Sequence, residues 1–269
     1  MRIVLKIGGS LMKEGVPQGL VDDVAALARS HQFVIVHGGG EVVTQYATRL
    51  GKEQRFVVSP EGIRSRYTDR ETAEIYQMVM SGLLAKRLVL ALGKVGVNGV
   101  SLAGADGKLL QGKRKTKLVV MDERGRRVAI EGGYTGKVVG VNAPLLDALL
   151  SQSYVPVVSP VATGEEGDPL NVDGDRVAST IASKAGAEAV VFLTNVDGLE
   201  LDGKLVTHLA PTEASSMLPR IGFGMQTKVM AAAESVEAGV KEAMICSGVR
   251  AGPLAKALTH DNCTVISAQ

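Results

Sequence analysis

The chain has no tryptophan, and aromatic residues make up only 3% of its 269 positions. A stacking platform for single-stranded nucleic acid, which needs exposed aromatic rings, is therefore not expected. Cysteine occurs twice, at Cys246 and Cys263, in no CxxC pair. Neither a disulfide framework nor a zinc site can be assembled from them; both read as small buried hydrophobes in a reducing compartment. Charge of one sign is not in excess, since 30 Lys and Arg stand against 28 Asp and Glu. That balance carries no global signature of a nucleic-acid or membrane binder. No stretch approaches the ~20 apolar residues of a membrane span. The opening MRIVLKIGGS is broken by Lys6, unlike a signal peptide. A cytoplasmic protein is expected. The common nucleotide motifs are missing too. None of the six Gly-Lys pairs is followed by Ser or Thr, as a Walker A loop requires. No G-x-G-x-x-G fingerprint and no H-R-D and D-F-G set occurs.

What the chain does hold is aliphatic residues and 32 glycines. Short β-branched runs at 2–7, 33–36, 97–102, 155–159, 189–193, 242–246 and 263–267 alternate with amphipathic stretches at 19–30, 41–50, 72–93, 143–152, 176–186 and 226–238. Apolar strands alternating with helices predict an α/β fold, a mainly parallel sheet covered on both faces. Residues 106–141 break the rhythm and read as hairpins, starting at an Asp106-Gly107 turn: a small β-rich excursion, not a domain.

The first strand runs into Lys6-Ile7-Gly8-Gly9-Ser10 and the second into His37-Gly38-Gly39-Gly40, with a helical pattern following at Glu41. Glycines at the carboxyl end of a parallel strand let backbone amides approach a ligand, and a helix N-terminus favours an anion. One such cluster could be a plain turn; two after consecutive strands point to anion binding. Lys6 is conspicuous for a second reason: a strand buried in a parallel sheet seldom carries an unpaired charge. Further on, Asn171, Asp173 and Asp175 precede a helical run, and one of them can be an N-cap, Asp173 more readily than Asp175.

Six stretches, LKIGGS, VHGGGEVV, SRYTD, NVDGDRVA, LTNVDGL and GFGMQTK, resemble in order the motifs of the amino acid kinase family and its acetylglutamate kinase branch. The resemblance implies a three-layer αβα sandwich with an acyl-substrate lobe at 1–160 and an ATP lobe at 161–269. By it, Lys6 and Lys228 are the catalytic cations and Asp175 the carboxylate that holds them. Gly39, Gly40, Arg66 and Asn171 bind the acyl substrate. Gly8, Gly9 and Ser10 face the phosphates of ATP, which brings Mg2+ with it, and Thr194, Asn195 and Asp197 lie under the base. No protein-held metal is implied. SRYTDRET, GKRKT and GGYTGKV resemble a subgroup whose aminoadipate or glutamate is carried on a small acidic amino-group carrier protein of the LysW type. That implies a role in lysine or arginine biosynthesis. An N-acetylglutamate kinase and a non-catalytic ATP-binding module are the alternatives. A strand beginning at residue 2 leaves no room for the extra helix of arginine-sensitive relatives, so a homodimer is expected.

The balanced total hides an asymmetry. Residues 49–70 carry six Lys and Arg against three Asp and Glu, and residues 108–127 carry eight against two. Both basic stretches fall in the expected acyl-substrate half, where they would steer an acidic protein toward the site.

Overall fold

The computed structural model describes residues 1–268. Eight strands share one sheet: β1 (Arg2–Ile7), β2 (Gln32–His37), β3 (Gly99–Leu102), β4 (Val155–Val158), β5 (Ala189–Thr194), β6 (His208–Leu209), β7 (Glu242–Ser247) and β8 (Thr264–Ser267). Their order is β6-β8-β7-β5-β1-β2-β4-β3. Every pairing is parallel except β7 with β8. The expected parallel sheet is present, with an antiparallel margin.

Strand alternation decides what each face receives. Ile3, Leu5 and Ile7 join one apolar cluster with the helices Gln18–Leu27, Gly40–Arg49, Arg70–Lys94 and Pro253–Leu258. Val4 joins the other, with Ala143–Ser151, Gly174–Lys184, Pro211–Met217 and Phe223–Glu237. The result is a three-layer αβα sandwich with a core on each side of the sheet. By the same alternation Lys6 shares the face of Val4. Lys6, next to the carboxyl end of β1, is thus aimed at the helices that begin at Gly174 and Phe223.

The excursion is larger than its sequence suggests. Leu110–Arg114 is a strand that pairs with Gly136–Val141 and Val161–Thr163, and Val161–Thr163 pairs with Pro169–Asn171, giving a second, four-stranded sheet. Leu110–Arg114 shows no strand signal because it is built to be crossed closely: a Cβ on Gly112 would stand 2.9 Å from the Cβ of Ala162. The Asp106-Gly107 turn is a single 3-10 turn with Gly107 at φ 55°, not the tip of a hairpin. Lys117–Met121 and Arg127–Glu131 do form the expected hairpin. Phe56–Val58 and Arg64–Arg66 form another that the sequence did not announce.

Arg70–Lys94 needs a separate correction. It starts at Asp69, whose carboxylate accepts the Thr72 N–H at 2.8 Å, and holds a π-helical stretch at Met78–Leu84. It is 25 residues long and its most apolar 18-residue window has a mean hydropathy of 1.4, so by length and composition it is long and apolar enough to cross a membrane, and the expectation that no stretch comes near that length was too strong. It nevertheless packs as a core helix, with Tyr76, Met80, Leu84, Leu88 and Leu92 at a four-residue spacing all buried in the first cluster.

Candidate active site

Three side chains from distant parts of the chain meet at the carboxyl end of β1. Lys6 Nζ lies 2.6 Å from Asp175 Oδ1, and Lys228 Nζ lies 3.2 Å from Asp175 Oδ2. Their side chains are 7%, 5% and 13% exposed for Lys6, Asp175 and Lys228. Each is placed by a simple local cause. Lys6 follows from the alternation of β1. Asp173 is the N-cap of Gly174–Lys184, accepting the Arg176 N–H at 2.9 Å, which leaves Asp175 inside the first turn and turned inward. Gly174 sits so close that a Cβ there would stand 3.6 Å from Lys6 Cε. Lys228 lies in the second turn of Phe223–Glu237, and its neighbour Thr227 donates its hydroxyl to Asp175 Oδ2 at 3.2 Å. An Arg176–Glu234 ion pair at 3.0 Å ties the same two helices together.

The electrostatics follow from the count. Burial pushes the Asp175 carboxyl up, but the ammonium groups of Lys6 and Lys228 overcome it and hold it below the ordinary carboxylate range. Burial and then the Lys6 charge pull the Lys228 amine below its ordinary value, with Asp175 opposing. Two cations to one anion leave one positive charge in excess. A buried excess of this kind is a seat for an anion.

The seat opens on a cleft of about 1160 Å3. Lys6, Gly9, Ser10, Gly39, Gly40, Arg66 and Asn171 all line it, with Asp175 and Lys228 behind Lys6. The two glycine runs meet backbone to backbone. A Cβ on Gly38 would come within 2.7 Å of Gly9 N, one on Gly9 within 2.9 Å of Gly39 N, and one on Gly8 within 2.9 Å of Leu193 O. Gly9, Gly38 and Gly39 therefore close the two loops on each other, and with Gly40 they line the cleft. Gly8 instead packs against the end of β5, donating its N–H to Leu193 O at 2.9 Å, and does not line the cleft. Beneath them His37 is fully buried, with Nδ1 3.1 Å from Gly38 O and Nε2 3.1 Å from Ser159 Oγ. Burial, helped by the Lys6 charge and opposed by the Gly38 contact, brings its pKa from 6.5 down to about 4.

The amino acid kinase family model matches residues 1–247. The chain belongs to the amino acid kinase family. Among curated relatives, chains of Nitrosopumilus maritimus (strain SCM1) and Cenarchaeum symbiosum (strain A) are 48% and 51% identical over 264 residues, 98% of each chain. A LysW-aminoadipate/LysW-glutamate kinase of Saccharolobus solfataricus is 44% identical over 266 residues, 98% of this chain and 99% of that one. Among solved structures, N-acetylglutamate synthase from Neisseria gonorrhoeae superposes with a TM-score of 0.82 at 23% identity, covering all of this chain and 59% of that one. That likeness concerns the fold alone. The family and fold expected from the six motifs hold.

In this amino acid kinase the remaining expected residues fall unevenly. Asn171 donates its Nδ2 to Thr68 Oγ1 at 3.0 Å and lines the cleft. Arg66 also lines it but is partly committed: Nη2 donates to Gly40 O at 2.7 Å and to Thr44 Oγ1 at 2.9 Å, and Nη1 donates to Gln54. Thr194, Asn195 and Asp197 lie apart from the cleft. Asn195 lines a second cavity of about 390 Å3, which shares Ser10 and Lys13 with the cleft, and Asp197 is taken up by Arg250 and Asn262. Cys246 and Cys263 are both free and buried, as expected. The sequence marks no site role for Thr227, Tyr76 or His37. Thr227 and His37 stand beside residues that were noticed, but Tyr76 lies within an ordinary core stripe.

Proposed function

We propose that this kinase transfers the γ-phosphoryl group of ATP to the side-chain carboxylate of aminoadipate or glutamate carried by its amino group on a small acidic protein of the LysW type. The supporting observation is the Lys6–Asp175–Lys228 cluster, with its surplus positive charge at the foot of a glycine-lined cleft. A carboxylate with an ordinary pKa near 4.3 is ionised at neutral pH, so the acceptor needs no general base. The obstacle is an anion approaching a polyanion, and fixed cations remove it. Lys6, at the cleft surface, would meet the transferring group from the nucleophile's side, and Lys228 would stabilise the leaving oxygen. Asp175 orients both and keeps their mutual repulsion tolerable. Among the described residues no three His, Cys, Asp or Glu gather as a metal cage. Magnesium would therefore enter on the nucleotide phosphates, neutralising their charge, and no step is assigned to it.

Carrier recognition is supported by the walls. The basic stretches of the sequence include the hairpin Phe56–Val58/Arg64–Arg66 and, beyond the strand Leu110–Arg114, most of the hairpin Lys117–Met121/Arg127–Glu131, and both hairpins border the cleft. Lys115, Arg64 and Arg66 lie on its lining itself. An acidic carrier delivering a tethered acid would meet this rim first, with a rate that falls as salt rises. The deciding assay traps acyl phosphate as its hydroxamate with carrier-linked aminoadipate, carrier-linked glutamate and free N-acetylglutamate side by side. Turnover of the carrier-linked acids with a salt-sensitive kcat/KM is expected; robust, salt-insensitive turnover of the acetylated acid alone contradicts the reading. We further propose a homodimer acting in lysine or arginine biosynthesis, and size measurement tests the assembly.

A further inference from the structure

The Arg66 corner of the cleft contains a hydroxyl that nothing in the protein uses. Tyr76 is only 7% exposed, and its ring packs in the core cluster with Ile75, Val79 and Met80. Among the described residues its hydroxyl makes no hydrogen bond, yet the residue lines the cleft together with Arg66, Gly39, Gly40 and Asn171. A tyrosine buried this far ordinarily finds a partner for its O–H. A phenol with its ring in the core and its hydroxyl group left for the cleft is a binding group awaiting its ligand.

Arg66 indicates which ligand. A guanidinium has five N–H donors, and three of them already serve Gly40 O, Thr44 Oγ1 and Gln54 Oε1. Two remain, on Nε and Nη1, and with both Nη2 hydrogens spent they do not form the side-by-side fork of a two-pronged carboxylate grip. Burial pushes the Tyr76 phenol far up, against the pull of the Arg66 charge, so it stays a donor at every working pH. We infer that Tyr76 is a substrate-binding residue whose hydroxyl donates to the α-carboxylate of the acyl substrate, completing the grip that Arg66 makes only in part. The inference rests on the function proposed above.

Tyr76→Phe removes one oxygen and keeps the ring in the core. With carrier-linked aminoadipate as substrate, the expected result is a KM raised about tenfold or more, the loss of one hydrogen bond to a charged group. The KM for ATP and the melting temperature should stay put. A control uses the same carrier-linked acid with its α-carboxylate converted to a neutral methyl ester. On that compound the wild-type advantage over Y76F should shrink to near nothing. An unchanged KM in Y76F, or an equal rise in the KM for ATP, overturns the assignment. If the wild-type chain itself transfers no phosphoryl group to the carrier-linked acid, the function reading fails and the assignment goes with it; an active wild type with an indifferent Y76F sinks the assignment alone.

Discussion

Asp175→Asn is the perturbation the structure makes sharpest. The substitution keeps the shape of the side chain and deletes the single negative charge lying 2.6 Å from one buried ammonium and 3.2 Å from another. Removing one partner from a buried ion pair costs about 3–5 kcal/mol, because an uncompensated charge is left behind. At roughly 2–4 °C per kcal/mol for a chain near this size, the melting temperature should fall by about 6–20 °C. The deficit should also depend on pH, in a direction fixed by Lys228. Its amine is already held below the ordinary 10.5 by burial and by Lys6, and Asp175 is the group that resists. Without that carboxylate the folded amine titrates lower still. The unfolded chain then binds more protons than the folded one through the alkaline range, and stability rises with pH there. Thermal melts of both proteins from about pH 7 to about pH 10 should show the gap narrowing. A D175N protein that melts within a degree or so of wild type, or a gap indifferent to pH, would refute the view of Asp175 as the counter-ion of two buried cations.

Other consequences follow from the loops around it. Gly38→Ala puts a Cβ 2.7 Å from Gly9 N, backbone against backbone, so the glycine loops must separate; a cost of about 1–3 kcal/mol and a marked loss of kcat are expected, read by urea unfolding and steady-state assay. His37, neutral and fully buried, titrates at about 4 instead of 6.5. The unfolded chain takes up its proton first, so stability is lost as pH falls from about 6.5 toward 4, by up to about 3 kcal/mol. Urea midpoints across that window should fall in wild type and flatten in H37N.

The order of strands and helices was legible because β-branched runs and helical periodicities alternate cleanly; β1 in particular occupies the residues its sequence predicts. Lys6 could be singled out from the sequence alone, since a charge in a buried strand demands a partner. The choice between Asp173 and Asp175 was legible as far as capping goes, and the structure gives the cap to Asp173. The second sheet was not legible. Leu110–Arg114 carries a glycine and three polar residues, and its strand character comes from neighbours as far away in the chain as Thr163, which pairs with Gln111. The ribbon at Phe56–Val58 was hidden for a different reason: its strands are too short to show a period. Tyr76 was invisible as a site because its ring obeys the core pattern and only its hydroxyl departs from it. The residues expected under the nucleotide base rested on resemblance, and the cleft lining does not include them.

The bluntest trial uses quenched-flow single turnovers with the ammonium at position 6 deleted. Lys6→Ala leaves Asp175 paired with Lys228, so the fold and ATP affinity should survive. The rate of transfer to a carrier-linked acid should drop by about two to three orders of magnitude, the usual cost of removing one preorganised charge-stabilising donor. Transfer by K6A at nearly the wild-type rate, with nucleotide bound equally well, would contradict the account at its centre.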